Sequence, residues 1–148
     1  MKINYPAVIV AAIIHWILGG VWYAIFSKPF TAFIGSDKLR ELESHSEAMA
    51  FLLAFMSSLI IAYLLARLLR LTRAESLFDA LKIVFLVWLG FIAATQLTTV
   101  LFEARNLGLY LLGVGYQLVA CALAGTILVF WRPRQTADSV SQSKSQIV

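Results

Sequence analysis

The chain has 148 residues, of which 61% are hydrophobic and 14% charged, with a formal net charge of +4. An average soluble domain carries about a quarter charged residues, and a mean hydropathy of +0.84 lies far from that class. With 8 Gly, 3 Pro and 1 Cys, disordered, collagenous and disulfide-stapled chains are excluded as well. The apolar share amounts to about 90 side chains, enough for four membrane spans of about 20 residues each. The basic balance points to anionic lipid headgroups as the nearer partner, and not to nucleic acid.

Four apolar runs are long enough to cross a hydrocarbon core of about 30 Å, at 5–26, 48–66, 80–102 and 107–131. They must be helical, because an open strand edge would leave its amides unpaired in lipid. The expected fold is therefore all-α, an integral membrane four-helix bundle over residues 1–131, with short loops and both termini on the same side. The first run follows Lys2, yet it is longer than the apolar region of about 7–15 residues in a secretion signal. Tyr23-Ala24-Ile25-Phe26-Ser27 has no small-x-small cleavage site, so the run reads as a retained span. In the first loop, Pro29 to Ile34 is apolar enough to lie in the interface, and Asp37 to His45 reads as a short charged helix.

The second loop holds Thr72-Arg73-Ala74-Glu75, which has the form of a capping box, so the third helix is expected to start at Thr72. Asp79 and Lys82 are then three residues apart and able to pair. Asn106 is the expected N-cap of the fourth helix, which makes the preceding hairpin tight. Residues 132–148 are rich in Ser, Gln and Thr and are expected to form a disordered tail.

Charge sets the orientation. Lys2, Arg67, Arg70, Arg73, Lys82, Arg132, Arg134 and Lys144 fall on one side, against Lys28, Lys38, Arg40 and Arg105 on the other. Eight against four places both termini in the cytoplasm. Tyr5 and Trp131 inside, and Trp22, Tyr23 and Tyr110 outside, then sit where interfacial anchors belong.

Polar groups inside lipid are costly, so function is sought there first. With about 1.5 Å of rise per residue, His15, Ser57, Ser58 and Gln117 share a layer near the membrane midplane. Gln96 and Thr99 lie three apart on one face of the third helix, and Glu103 continues that face outward. One reading is a polar pocket opening outward, with His15 at its centre and Gln96, Thr99 and Gln117 as ligand contacts. The other is that His15 and Gln117 bond each other or a carbonyl as interhelical glue, worth about 0.6 kcal/mol apiece. Small residues favour close packing at Ala7 and Ala11, at Gly20 and Ala24, and along Gly113, Gln117, Ala120, Cys121 and Ala124. The lone Cys121 fits that stripe and forms no intrachain disulfide.

Known chemistries find no foothold. There is no HExxH, Cys pair, GxSxG or phosphate loop. His15 and His45 lack the neighbouring carboxylates that a metal site needs, so no metal, cofactor or catalytic group is expected.

Asn4-Tyr5, Gly19-Gly20-Val21-Trp22-Tyr23, Phe26 and Lys28-Pro29-Phe30 form a pattern in the first half of the chain. Trp88-Leu89-Gly90-Phe91, Leu101-Phe102-Glu103, Gly115-Tyr116-Gln117, Gly125 and Trp131 continue it. Together they resemble the uncharacterised membrane family known as domain of unknown function 1761. The resemblance implies a small, mostly bacterial four-helix protein of the cytoplasmic membrane with no established activity. It also implies that Trp22, Tyr23, Trp88, Gly90, Phe91, Glu103, Tyr116 and Gln117 carry the family's pattern, which favours a site between helices one, three and four.

The leading expectation is thus a small homo-oligomer that binds or passes a small solute through an outward-facing pocket lined by His15, Ser57, Ser58, Gln96, Thr99, Glu103, Tyr116 and Gln117. A structural or accessory subunit that binds a partner protein or lipid is the alternative. A lipid-modifying enzyme is the weakest reading, because no nucleophile has a base at suitable spacing.

Overall fold

In the computed structural model, residues 3–44 and 46–131 are described. His45 and the tail expected to be disordered lie outside them. The described residues form α1 (Tyr5–Ile25), α2 (Ser27–Ile34), α3 (Ser36–Ser44), α4 (Glu47–Leu71), α5 (Leu77–Val87), a π-helical segment (Trp88–Ala93), α6 (Ala94–Phe102) and α7 (Leu107–Phe130), with no strand among them. Four helices are long and apolar enough to cross a membrane: α1, α4, the continuous run Leu77–Phe102, and α7. The chain is an all-α, multi-pass membrane protein.

Local chemistry explains where the helices begin. The Asn4 side chain accepts from the Ala7 amide, and Pro6 falls in the first turn, where its missing N–H costs nothing. Asn4 Nδ2 also donates to the Trp131 carbonyl at 2.6 Å, so the start of α1 and the end of α7 meet at one end of the bundle. Asn106 caps α7 by accepting from the Gly108 amide at 2.7 Å.

The expected start of the third helix at Thr72 is corrected. The Thr72 hydroxyl turns back to donate to the Leu68 carbonyl at 2.9 Å, so this residue closes α4. Arg73 then adopts φ 50, and the Ala74 amide reaches the Leu69 carbonyl at 3.1 Å, a left-handed helix stop. Ser76 is the true N-cap, its Oγ accepting from the Asp79 amide at 3.1 Å while its hydroxyl donates to the Asp79 carboxylate at 2.6 Å. Engaged there, Asp79 does not pair with Lys82, whose Nζ stands over the Phe78 ring at 4.2 Å.

Packing centres on α7, which touches α1, α2, α4, α5, the π segment and α6. Among the described residues α1 does not touch the third span at all; its neighbours are α2, α4 and α7. The apolar core gathers Ala7, Val8, Ala11 and Ala12 of α1, Ala62, Leu65 and Leu69 of α4, Ala80 and Val84 of α5, and Cys121, Ala124 and Leu128 of α7. Small residues dominate it, because in lipid helices associate through close van der Waals contact and not by escaping water. Gly125 marks the close crossing of α5 and α7, where an added Cβ would stand 2.9 Å from Val84 Cγ2. By contrast Gly20 and Ala24 are exposed, and a Cβ added at Gly20 would meet nothing within 4 Å. This core occupies the end of the bundle where α1 starts and α7 ends, and the other half is polar and aromatic.

Candidate functional site

Above the alanine-rich core, α1, α4 and α7 bring together the buried polar side chains of the membrane interior. His15 and Ser58 are each 3% exposed. His15 Nδ1 lies 3.0 Å from Ser58 Oγ and 3.3 Å from the Tyr116 hydroxyl. Ser58 donates its own proton to the Ala54 carbonyl at 2.9 Å, one turn back on α4. Tyr116 donates to the His15 carbonyl at 3.1 Å, which ties α7 to α1. Its ring also meets the imidazole edge-on, with centroids 5.6 Å apart.

This contact depends on a glycine. His15, Gly19 and Trp22 share one face of α1, and a Cβ built on Gly19 would stand 3.0 Å from the Tyr116 oxygen. With any Cβ at residue 19 the phenol would have to shift by a few tenths of an ångström to lie along the helix and reach residue 15. The reciprocal pair lies further out, where the Trp22 indole covers Gly115 with Cζ2 3.6 Å from the place a Cβ would take. Trp22 also stacks against Phe26 and Tyr116, at 4.9 and 6.5 Å between centroids. Tyr23 links Tyr116 at 6.0 Å to Phe30 of α2 at 5.3 Å.

Three polar atoms in this region are buried and make no hydrogen bond: His15 Nε2, Trp22 Nε1 and Gln117 Oε1. The Gln117 carboxamide lies beside the imidazole and acts on it as a hydrogen-bond partner, as the glue reading expects, although the pair falls short of ideal geometry. Buried polar atoms are paired in the great majority of cases, so three unpaired ones in one region mark a place with unused bonding capacity.

The sequence-derived residues thus divide. His15, Ser58, Tyr116 and Gln117 come together. Ser57 does not; it is exposed on the outer face of α4. Gln96, Thr99 and Glu103 are exposed too and stand apart from His15, since the third span meets α7 and, through α5, α4, but not α1. Gln96 approaches Gly113, the Thr99 hydroxyl donates to the Thr95 carbonyl at 3.3 Å, and Glu103 forms an ion pair with Arg105 in the turn. Thr95, Thr98, Thr99, Phe102 and Glu103 line only an open depression on α6.

Trp88, Gly90 and Phe91 fall in the π segment. Trp88 Nε1 donates to the Val114 carbonyl at 2.8 Å, and the Tyr110 hydroxyl donates to the Ala93 carbonyl at 3.2 Å, so the widened turns are held to α7 from both ends. Gly90 and Phe91 face outward. Trp22, expected as an interfacial anchor, is instead half-buried and turned toward α7. The signal that could have revealed this is the pairing of an aromatic on one helix with a glycine on the other, Tyr116 with Gly19 and Trp22 with Gly115. No group of three His, Cys, Asp or Glu among the described residues is placed to hold a metal.

The family model described as protein of unknown function (DUF1761) matches residues 6–129. No curated protein and no solved structure matches the chain.

Proposed function

This chain belongs to the DUF1761 family of proteins of unknown function, and we propose, from the geometry of its interior, that it binds a small polar solute among α1, α4 and α7. The observation that carries this reading is the set of three unpartnered buried atoms, His15 Nε2, Trp22 Nε1 and Gln117 Oε1. Leaving such an atom unpaired in a low-dielectric interior costs about 1–3 kcal/mol, a cost that a bound solute would offset. The pocket so proposed uses the second span where the sequence pattern favoured the third, because α1 and the third span do not meet.

Native mass spectrometry of the full chain, released from detergent, tests the reading. A low-mass species should accompany the wild type and the Ser57→Ala variant, and be lost from His15→Leu and Gln117→Leu. Variants that fold and retain the species would overturn it.

Location in a bacterial cytoplasmic membrane belongs to the same proposal and rests on the family resemblance, and the placing of both termini inside rests on the eight-to-four distribution of Lys and Arg. A C-terminal reporter active only outside the cytoplasm should stay silent, and a strong signal would reverse the orientation.

A second reading, the structural or accessory one, draws on the outer face of α6. This helix touches only α7 and the π segment, and it leaves Thr95, Thr98 and Thr99 exposed. A second copy of the chain is the partner protein that would cover them. In a Cys121→Ser background, Thr98→Cys should then give a disulfide-linked dimer in membranes, and a monomer under oxidant would count against it.

A further inference from the structure

One stripe of α4 changes its surroundings halfway along the helix. Ser58, Ala62, Leu65 and Leu69 follow at spacings of four, three and four, so they share a face, and all are buried. The stripe continues toward the start of the helix through Ala54, Phe51 and Glu47 at the same spacings, and there all three are exposed. Every residue from Ser46 to Ala54 is exposed, on all sides of the helix. The first half of α4 therefore stands away from α7, tied to α1 by Trp16, whose Nε1 donates to the Phe51 carbonyl at 3.2 Å. The third span parts from the bundle on the other flank. Ala80, Val84 and Ala93 are buried, but Gln96, one turn further on, is exposed.

Among the described residues α4 and α6 do not touch, and α7 runs between them as a floor. Its Gly113, Gln117, Ala120 and Ala124 share a face; the two alanines are buried, while Gly113 and Gln117, further out, are half-buried. Gln96 leans over Gly113, its Oε1 3.5 Å from the place a Cβ there would take. α2 does not roof this face. Its Phe33 ring sits on Gly108, five residues from Gly113 and so turned about 140° away from it. Resting on the pocket proposed above, we infer that a wedge between α4 and α6, floored by Gly113 and Gln117, admits a water-borne solute to His15 and Ser58 from the membrane surface where α4 begins. Ala54 and Phe51 form one wall and Gln96 the other, with Glu47 at the mouth. The Gln96 carboxamide finds hydrogen bonds in water and none among acyl chains, so the wedge fills from the aqueous phase and not from the bilayer.

The test places single cysteines in the full chain with Cys121→Ser, in nanodiscs that leave both membrane surfaces open, and adds a charged methanethiosulfonate. Such a reagent attacks the thiolate, which forms in water and not in lipid. Ala54→Cys, Gln96→Cys and Gln117→Cys should therefore react at least about tenfold faster than Leu64→Cys and Leu86→Cys. The two controls are 57% and 66% exposed, but on the outer surface of the bundle. Ala54→Trp, a plug in the wall of the wedge, should slow the labelling of Gln117→Cys without slowing that of Gln96→Cys. If Ala54→Cys and Gln96→Cys react no faster than the controls, lipid or a second copy fills the wedge, and the inference fails. If the plug leaves Gln117→Cys as fast as before, water reaches the pocket by another way; the inference fails and the pocket stands. If Gln117→Cys is inert while the two wall thiols react, the wedge is blind, which overturns the inference. The pocket itself falls only if the low-mass species survives His15→Leu and Gln117→Leu.

Discussion

Ser57 and Ser58 occupy the same depth of α4, yet one faces outward and the other is buried against His15. Successive residues on a helix are turned by about 100°, so equal depth never implies equal surroundings. Ser58→Ala should cost about 1 kcal/mol in reversible unfolding from bicelles, and Ser57→Ala less than about 0.5 kcal/mol. Equal losses would mean that the buried serine makes no difference to the His15 cluster. Gly19 is the second residue on which the site turns. Gly19→Val would drive the Tyr116 oxygen from its 3.0 Å approach and break its bond to the His15 carbonyl. A loss of about 1–3 kcal/mol is expected, as for other insertions into packed sites, and the thermal midpoint in detergent reads it. Sequence alone placed His15, Ser58, Tyr116 and Gln117 at compatible depths. It could not choose between the two serines, nor turn Trp22 inward, because both depend on the rotation of α4 and α1 against α7.

At the scale of elements, the third span carries two features that its apolar composition does not reveal. The first is its start, which belongs to Ser76 and not to Thr72. Both have capping chemistry, and the Leu68 carbonyl claims the Thr72 hydroxyl first. The second is the π-helical segment Trp88–Ala93, where the Ala94 amide bonds back to the Leu89 carbonyl across five residues. Such a segment widens the helix locally. Here its tethers to α7 run through Trp88 and Tyr110. Where α5 crosses α7, Gly125 and Val84 are complementary, and Gly125→Leu should destabilise the bundle by about 1–3 kcal/mol. Adding Val84→Ala should recover part of that loss, and additive losses in the double-mutant cycle would show the contact to be unimportant. At the end of α6, Ala104 holds φ 50, a left-handed conformation that costs a residue with Cβ about 1–2 kcal/mol. Ala104→Gly should raise stability by up to about 1 kcal/mol despite its entropic cost, visible as a higher melting temperature.

For the whole molecule, the decisive fact is that α7 touches every other span while α1 and the third span do not meet. In a Cys121→Ser background, Trp22→Cys with Gly115→Cys should be bridged by a short bismaleimide, because the indole spans the gap between α1 and that glycine. Trp22→Cys with Thr99→Cys should not, and a crosslink there would disprove the arrangement. The sequence by itself determined the solvent, the number of spans and the depth of each polar side chain. These follow from apolar run length and from a fixed rise per residue, which need no knowledge of neighbours. Only the tertiary structure decided which faces meet. Helix association in lipid is set by shape, by glycine opposite aromatic and alanine opposite alanine, and every face of such helices is apolar enough to look alike in sequence. The candidate polar residues therefore resolved into a cluster on α1, α4 and α7, with Ser57 outside it, and a separate exposed group on the third span.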